Sequence, residues 1–277
     1  MKVLLTNDDG LMAEGLQALR RALLGVPDIE LVTIAPDGNR SATARSITTR
    51  RPLWVEEVAF DDGTVGYATD GTPVDCVRLC QLGVVPGFEA EMVVSGINHG
   101  ANLGDDITYS GTVAAALEGV ILGLPALAVS QQTIAGNMGF PLGDDYDFDV
   151  AARFAARIVE EVDDVPLPEG TLINVNVPAG PVGGIEVCEL GKRIYRDTLR
   201  LAETDPDRPA RRRYTLYGTE PGYHDLPGTD LTAVAEGRIA VTPLHYDLTA
   251  AAGLDALRAH DLERLLEPAA RDVLSHE

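Results

Sequence analysis

The stretch MKVLLTNDDG, residues 1–10, joins a short apolar run to two adjacent carboxylates and a glycine. Residues 3–5 have the composition of a buried parallel strand, and apolar residues at helical spacing follow over 12–23. The pattern predicts a strand that passes into a helix through Asp8 and Asp9. In an open α/β sheet, ligands bind at this edge, beyond the carboxyl ends of the strands.

Asp8 and Asp9 are candidate ligands of a cation. Two unpaired carboxylates about 4 Å apart repel each other by about 4 kcal/mol at an effective dielectric constant near 20. A divalent cation removes that cost, and so does a proton shared between the side chains. A solvated Asp-Asp-Gly turn is the structural alternative. The position after the first strand, without a Gly-x-Gly-x-x-Gly motif, favours a cation site over a dinucleotide fold.

Alternating strand and helix patterns predict an α/β fold, with a Rossmann-like, mostly parallel sheet flanked by helices. Strand patterns lie at 3–5, 31–35, 92–95, 126–130, 171–177 and 239–242, and helical patterns lie at 12–24, 73–82, 112–123, 151–162 and 254–274. We expect the last helix to be bent or interrupted at Pro268.

The regular alternation of strand and helix patterns stops after residue 182. We therefore expect a catalytic core over residues 1–182 and a β-hairpin arm or small subdomain for oligomerisation over 183–217. Residues 218–277 are expected to supply a strand that returns to the core and the C-terminal helix.

The chain is strongly acidic. Its 277 residues include 22 Lys and Arg against 43 Asp and Glu, a formal net charge of −21. This charge disfavours a nucleic-acid polymer as partner, because phosphate contacts need a basic surface. Lys2 and Lys192 are the only lysines. The composition suggests a salt-adapted protein, and an ordinary acidic cytosolic enzyme is the alternative.

Hydropathy indicates a cytoplasmic protein. The sequence has no run of 18 or more apolar residues and no signal-peptide pattern before the first strand, so we expect no membrane association. Cys76, Cys80 and Cys188 cannot form a paired disulfide framework. Buried free thiols are the expectation for them, and a metal or redox role is the alternative.

Three further polar loops are expected at the same edge of the sheet, if its strands are parallel. They are PDGNRSAT at 36–43, SGINHGANLGDD at 95–106 and YSGT at 109–112. The Ser41 hydroxyl and the Asn98 carboxamide supply the oxygen ligands that Mg²⁺ or Mn²⁺ prefers, beside the two carboxylates. The absence of clustered Cys and His argues against structural zinc.

The third loop opens a helix and is a candidate phosphate site. Ser110 is a good N-cap, and Gly111 and Thr112 would then present backbone N–H groups at the positive end of the helix dipole. A helix cap without a ligand is the alternative. Asn39 is a candidate substrate contact, with turn formation as its alternative, and His99 is treated as a loop residue.

At these residues the sequence resembles the SurE family, the survival-protein nucleotidases that act as metal-dependent 5′/3′-nucleotidases. The matching blocks are LLTNDDG at 4–10, APDGNRS at 35–41, GTPVDCV at 71–77, SGINHGANLGDDITYSGTVAAALEG at 95–119 and VTPLHYDLT at 241–249. The resemblance implies a Rossmann-like core and one divalent metal per subunit, held by Asp8, Asp9, Ser41 and Asn98. It also implies homodimers or homotetramers built by exchange of C-terminal elements.

The chain departs from the family pattern at two positions. The family often has glycine where Ala42 and Ala114 stand. Alanine at 114 favours the helix, and alanine at 42 narrows the approach to the phosphate. Neither position is a proposed ligand, so the departures bear on substrate preference and rate.

The predicted reaction is hydrolysis of nucleoside 5′-monophosphates, and of 3′-monophosphates as an open extension. A metal would neutralise the phosphoryl oxygens and orient a water, and either Asp8 or Asp9 could accept its proton. An aspartyl-phosphate intermediate is an alternative mechanism. General phosphatase or short-chain exopolyphosphatase activity is an alternative substrate range.

Two other classes of protein fit less well. A non-enzymatic receiver module needs a lysine late in its fold, and the core offers none beyond Lys2. A metal-dependent sugar or amide hydrolase would usually bring histidine ligands, and His99 alone does not supply them.

Overall fold

The protein folds around a nine-stranded sheet with helices on both faces. The computed structural model describes residues 1–138, 145–196, 198–216, 221–260 and 262. The strands are β1 (Lys2–Thr6), β2 (Glu30–Pro36), β3 (Val55–Ala59), β4 (Val65–Thr69), β5 (Met92–His99), β6 (Ala126–Gln131), β7 (Thr171–Val177), β8 (Ile185–Val187), β9 (Arg193–Ile194), β10 (Arg200–Thr204), β11 (Arg212–Thr215), β12 (Gly222–Tyr223) and β13 (Ile239–His245). The helices are α1 (Glu14–Leu23), α2 (Pro73–Gln81), α3 (Gly111–Ile121), α4 (Asp149–Glu160), α5 (Asp230–Ala235) and α6 (Ala251–Arg258), with 3-10 helices at Gly104–Tyr109 and Val162–Asp164.

The strand order places a switch in winding direction at the centre of the sheet. The order is β3-β4-β2-β1-β5-β6-β7-β13-β8. Strands β4, β2, β1, β5, β6 and β7 are parallel, β13 is parallel to β8, and β3 is antiparallel to β4 at the edge. The chain leaves β1 towards β2 on one side, and β5 lies on the other. Such a switch point opens a crevice at the carboxyl ends of the two strands.

Apolar side chains cover both faces of the sheet. Val3 and Leu5 of β1 pack in the core beneath α1 and α4, whereas Leu4 packs in the core beneath α2 and α3. Because β1 is buried on both faces, its apolar residues form a continuous run rather than an alternating one.

The predicted central elements are confirmed, and so is the mostly parallel α/β fold. The predicted strands correspond to β1, β2, β5, β6, β7 and β13, and the first four predicted helices correspond to α1–α4. No strand is predicted for β3 or β4. In β3, the exposed Glu56 and Glu57 interrupt the alternation of apolar residues that marks a half-buried strand.

Segment 183–217 contributes to three sheets. Strand β8 lies in the main sheet beside β13, and β9 pairs with β12. Strands β10 and β11 form an antiparallel hairpin, and every residue of the two strands is exposed. Met1–Leu244 form one compact unit. The division of function at residues 182 and 217 stays a prediction.

The second compact unit spans His245–Glu277. Its helix α6 is exposed throughout, and it ends at Arg258, followed by a turn in which His260 N donates to Leu257 O. The prediction of a helix over 254–274 is therefore wrong in its continuity. A short helix without a buried face gains little from packing that would extend it. Pro268 lies outside the described residues.

All three cysteines are free and buried, as predicted. Burial raises the pKa of each thiol, so these groups remain protonated at neutral pH. In the part of the chain that is described, no helix is long and apolar enough to cross a membrane.

Candidate active site

The turn after β1 is shaped by Asn7 and Gly10. The Asn7 side-chain amide donates to Gly10 O at 3.1 Å, and Gly10 N donates to Asn7 Oδ1 at 3.1 Å. Gly10 has a φ of +114°, and a Cβ there would lie 3.1 Å from Gly38 Cα. A side chain would thus be strained and crowded. The turn leaves Asp8 and Asp9 at the carboxyl end of β1, at the switch point.

Asp8 is buried against the start of α3. Thr112 Oγ1 donates a short hydrogen bond to Asp8 Oδ1, and a Cβ on Gly111 would lie 2.8 Å from Asp8 Oδ2. Burial, and then the charge of Asp9, raise the pKa of Asp8 to about 6, against the lowering effect of the Thr112 hydrogen bond. Glycine at 111 is therefore required by the close approach of Asp8.

Asp9 is half-buried between the loop that follows β2 and the end of β5. Its Oδ1 accepts from Asn39 Nδ2 at 3.4 Å, and its Oδ2 accepts from His99 N at 3.1 Å. Burial raises the pKa of Asp9 to about 6. Within the described residues, no basic side chain pairs with Asp8 or Asp9, so their negative charges lack a cationic partner from the protein.

Asn98 places its carboxamide oxygen beside the Thr112 hydroxyl, the group that also contacts Asp8. Its Nδ2 donates to Gly100 O at 2.7 Å, which fixes the orientation of the amide. Thr112 Oγ1 lies 3.2 Å from Asn98 Oδ1 and also contacts Asp8 Oδ1. A hydroxyl has a single proton, and the shorter contact is the one to Asp8. Asn98 Oδ1 therefore keeps lone pairs available for a ligand.

The loop after β2 is tied to both carboxylate residues. Arg40 N donates to Asp8 O at 2.6 Å, next to the contact between Asn39 and Asp9. Ser41 is exposed, and its N–H donates to Asn39 Oδ1 at 2.9 Å. Ala42 has a φ of +58°, a region that favours glycine. The alanine at this position therefore adopts a backbone conformation that glycine reaches with less strain.

Ser110 is the N-cap of α3, as predicted, because its Oγ accepts from Val113 N at 3.0 Å. The backbone of Gly111 also lowers the pKa of Asp8. The sequence predicts a role for Thr112 through its backbone amide alone. The hydroxyl contacts to Asp8 and Asn98 depend on which helix packs beside β1, and no local sequence signal gives that.

The oxygen atoms around the carboxylate pair fit a hard divalent cation. The described residues contain no cluster of three or more His, Cys, Asp or Glu that could hold a metal ion. A cation at this edge would therefore take the carboxylates of Asp8 and Asp9 together with neutral oxygens such as Asn98 Oδ1. Such a set suits Mg²⁺ or Mn²⁺ better than zinc.

The acidic residues at the end of the second polar loop have a different role. Lys192 Nζ lies 3.0 Å from Asp105 Oδ1, and Arg193 Nε lies 2.6 Å from Asp106 Oδ2. These pairs join the 3-10 helix at 104–109 to β9. The acidic pair after β1 and the pair at 105–106 look alike in sequence, and only the second one is neutralised.

The family model of survival protein SurE matches residues 3–197. This chain belongs to the SurE family. The match supports the resemblance seen in the sequence motifs. It leaves the alternative of a receiver module without support.

Named relatives of the SurE family cover nearly the whole chain. The 5′-nucleotidase SurE of Rubrobacter xylanophilus is 50% identical over 270 residues, with 96% of this chain and 99% of the relative covered. The 5′-nucleotidase SurE of Geobacter metallireducens is 43% identical over 268 residues, with 96% and 99% covered. The crystal structure of the SurE protein from Aquifex aeolicus matches with a TM-score of 0.74 and 36% identity, covering 94% of this chain and 99% of that one.

Proposed function

We propose that this protein is a metal-dependent nucleotidase that hydrolyses nucleoside 5′-monophosphates to nucleoside and phosphate. The observation that carries the proposal is the convergence of Asp8, Asp9, Asn98 and the start of α3 at the switch point of the sheet. The substrate class comes from the SurE relatives, which are named 5′-nucleotidases.

The proposed cation is one Mg²⁺ or Mn²⁺ per subunit, held by Asp8, Asp9, Ser41 and Asn98. When bound, it supplies positive charge that neutralises the phosphoryl oxygens and orients a water. Among the described residues, Asp8 and Asp9 have no basic partner. Asn98 Oδ1 and Asp8 Oδ1 contact the same Thr112 hydroxyl. The uncompensated negative charge of the two carboxylates, next to a neutral carboxamide oxygen, supports a cation site.

The remaining roles in the proposal fall to the chain itself. In this proposal the phosphate of the substrate is held at the start of α3 by Gly111 and Thr112, together with Ser110 and Asn39. The Gly111 backbone is shared with Asp8, and the Val113 N–H is already taken by Ser110 Oγ. The positive end of the helix dipole favours the charge that develops on the phosphoryl group. Asp8 or Asp9 accepts the proton of the attacking water.

A phosphate-release assay tests the proposal. Nucleoside 5′- and 3′-monophosphates and short polyphosphates are each offered with Mg²⁺, Mn²⁺ or a chelator. We expect metal-dependent release from 5′-monophosphates, and a loss in kcat/KM of about 100-fold or more in Asp8→Asn and Asp9→Asn. Release from the other substrates would widen the substrate range, and a trapped phosphoenzyme would favour the aspartyl-phosphate route.

The chain offers a matched control for these substitutions. Asp163 and Asp164 form another adjacent acidic pair, and both are exposed on the 3-10 helix at 162–164. Asp163→Asn and Asp164→Asn remove the same charge and should leave kcat/KM within about twofold of wild type. Near-normal turnover by both Asp8→Asn and Asp9→Asn at saturating metal would contradict the assignment.

A further inference from the structure

We propose that His99 is a positioning residue that holds the turn carrying Asp9 against the strand end carrying Asn98. The inference rests on the proposed function, because it concerns the same cation site. His99 follows Asn98 directly and is the last residue of β5. Its backbone N–H and its ring Nε2 both contact segment 9–15, which connects β1 to α1. The N–H contacts Asp9 at one end of the segment, and Nε2 contacts Gly15 at the other.

Helix α1 begins without a capping side chain of its own. Ala13 is the N-cap residue, and no side chain there accepts a hydrogen bond. The first-turn N–H of Gly15 instead donates to Nε2 of His99 at 3.3 Å, from a residue 84 positions away in sequence. His99 therefore caps α1 from the neighbouring strand, which requires an Nε2 atom that carries no proton.

The backbone of His99 holds the other end of the same segment. Its N–H donates to Asp9 Oδ2 at 3.1 Å. Close packing accompanies this contact, because a Cβ on Gly15 would lie 2.1 Å from Ile97 O and 3.2 Å from His99 Cδ2. The start of α1 thus lies directly against β5, and a shift of the His99 ring would move the segment that carries Asp9.

Aromatic packing fixes the orientation of the His99 ring. Its centroid lies 5.0 Å from that of Phe148 and 4.9 Å from that of Tyr146. Phe148 is buried just before α4, the helix that packs on α1. The ring is thereby held from the core side while its Nε2 holds α1. The spacing between the Asp9 carboxylate and the Asn98 carboxamide follows from this arrangement.

The test separates the hydrogen-bond acceptor from the aromatic ring. His99→Phe keeps a ring that can stack and removes the acceptor, whereas His99→Gln returns an acceptor without the ring. Calorimetric titration with Mn²⁺ alone gives the cation affinity, and steady-state kinetics with a nucleoside 5′-monophosphate gives kcat and KM. We expect Mn²⁺ binding to weaken about tenfold in His99→Phe and to recover to within about threefold of wild type in His99→Gln.

A positioning role also predicts which constants stay the same. At saturating Mn²⁺, the KM of His99→Phe for the nucleotide should stay within about twofold of wild type, because the phosphate contacts on α3 are unaffected. His224→Phe makes the same change at an exposed histidine and should leave Mn²⁺ affinity unchanged. Should His99→Phe fail to fold, His99→Leu removes the acceptor with a smaller side chain and is judged by the same criterion.

The outcomes distinguish this inference from the proposed function. Unchanged Mn²⁺ affinity in a folded His99→Phe protein overturns the positioning role, even if the wild type releases phosphate from nucleotides. Weakened Mn²⁺ affinity that His99→Gln restores supports the role, even if no nucleotide is hydrolysed. A lowered melting temperature without a change in Mn²⁺ affinity identifies His99 as structural only and also overturns the inference.

Discussion

Asp8 and Asp9 follow the same strand but have different surroundings. Asp8 is buried and contacts the Thr112 hydroxyl, whereas Asp9 is half-buried and accepts from Asn39 and from the backbone of His99. Burial raises the pKa of both groups to about 6, well above the ordinary value of 3.8. The metal-free fold therefore keeps the pair at a cost, and either protons or a cation lower that cost.

The first consequence is competition between protons and the cation. A cation needs both carboxylates ionised, and the raised pKa values mean that protons occupy them as the pH falls below about 6. We expect Mn²⁺ affinity to weaken about tenfold between about pH 6.5 and pH 5 for each proton displaced. Titration calorimetry in two buffers of different ionisation enthalpy measures both the affinity and the released protons. An affinity that is constant over this range would contradict the assignment of Asp8 and Asp9.

The Thr112 hydroxyl provides a second prediction at the scale of one residue. Thr112→Val keeps the shape of the side chain but leaves the buried Asp8 carboxylate without this donor. An unsatisfied buried group costs about 1–3 kcal/mol, so urea unfolding should show a loss of that size in the metal-free protein. The pKa of Asp8 should rise further, because the hydrogen bond that lowers it is gone.

Thr112→Ser is the matched control for this substitution. Serine keeps the hydroxyl and loses only a methyl group, so it should recover most of the stability and of the Mn²⁺ affinity. If the valine and serine variants lose equal stability, the hydroxyl contact with Asp8 is not the cause.

At the scale of elements, the periodicity of apolar residues locates those strands and helices that have a buried face. The apolar run of β1 and the helical spacing in α1 locate both elements and the acidic pair between them. Periodicity does not locate β3 at the exposed edge of the sheet. This strand is stabilised by its pairing with β4, and its own apolar pattern is weak. Local patterns also fail to indicate His99 as the cap of α1, because that contact joins residues 84 positions apart.

The hairpin of β10 and β11 exposes apolar side chains that a monomer would leave in water. Leu201 is opposite Tyr214 in the register, and the two side chains are 57% and 44% exposed. Residues 200–215 carry five arginines against three acidic residues, so the hairpin keeps a small positive charge although Arg211 and Arg213 pair with Asp205 and Glu203, in a chain of net charge −21. Apolar contacts and charge complementarity both favour docking on a second copy of this acidic chain.

We therefore expect the intact protein to be a dimer or tetramer that depends on this hairpin. Replacing residues 200–215 by a short linker, or introducing Leu201→Asp with Tyr214→Asp, should reduce the mass measured by light scattering. Leu82→Asp changes another exposed leucine, 84% exposed at the C-cap of α2, and should leave the mass unchanged. A monomer measured for the intact protein would contradict the prediction.

At the scale of the whole molecule, charge is the dominant feature. The 43 acidic residues exceed the 22 basic ones, and many of the arginines are already engaged in surface ion pairs with acidic neighbours. Exposed pairs of this kind contribute little to stability. The excess of unpaired acid then leaves self-repulsion as a general force that opposes the compact state.

The last prediction follows from that repulsion. Self-repulsion is strongest when the screening length is long, about 30 Å at 0.01 M ionic strength against about 3 Å at 1 M. We expect the melting temperature to rise from low to molar KCl, because salt screens the surface carboxylates. Added salt also weakens the attraction of a cation to Asp8 and Asp9, so melts are run with saturating Mg²⁺ at every KCl concentration. The Asp8→Asn variant, which removes a ligand, should show the same salt-dependent rise if the effect belongs to the surface. A melting temperature that is flat or falls with KCl would reject salt adaptation and leave the proposed nucleotidase function untouched.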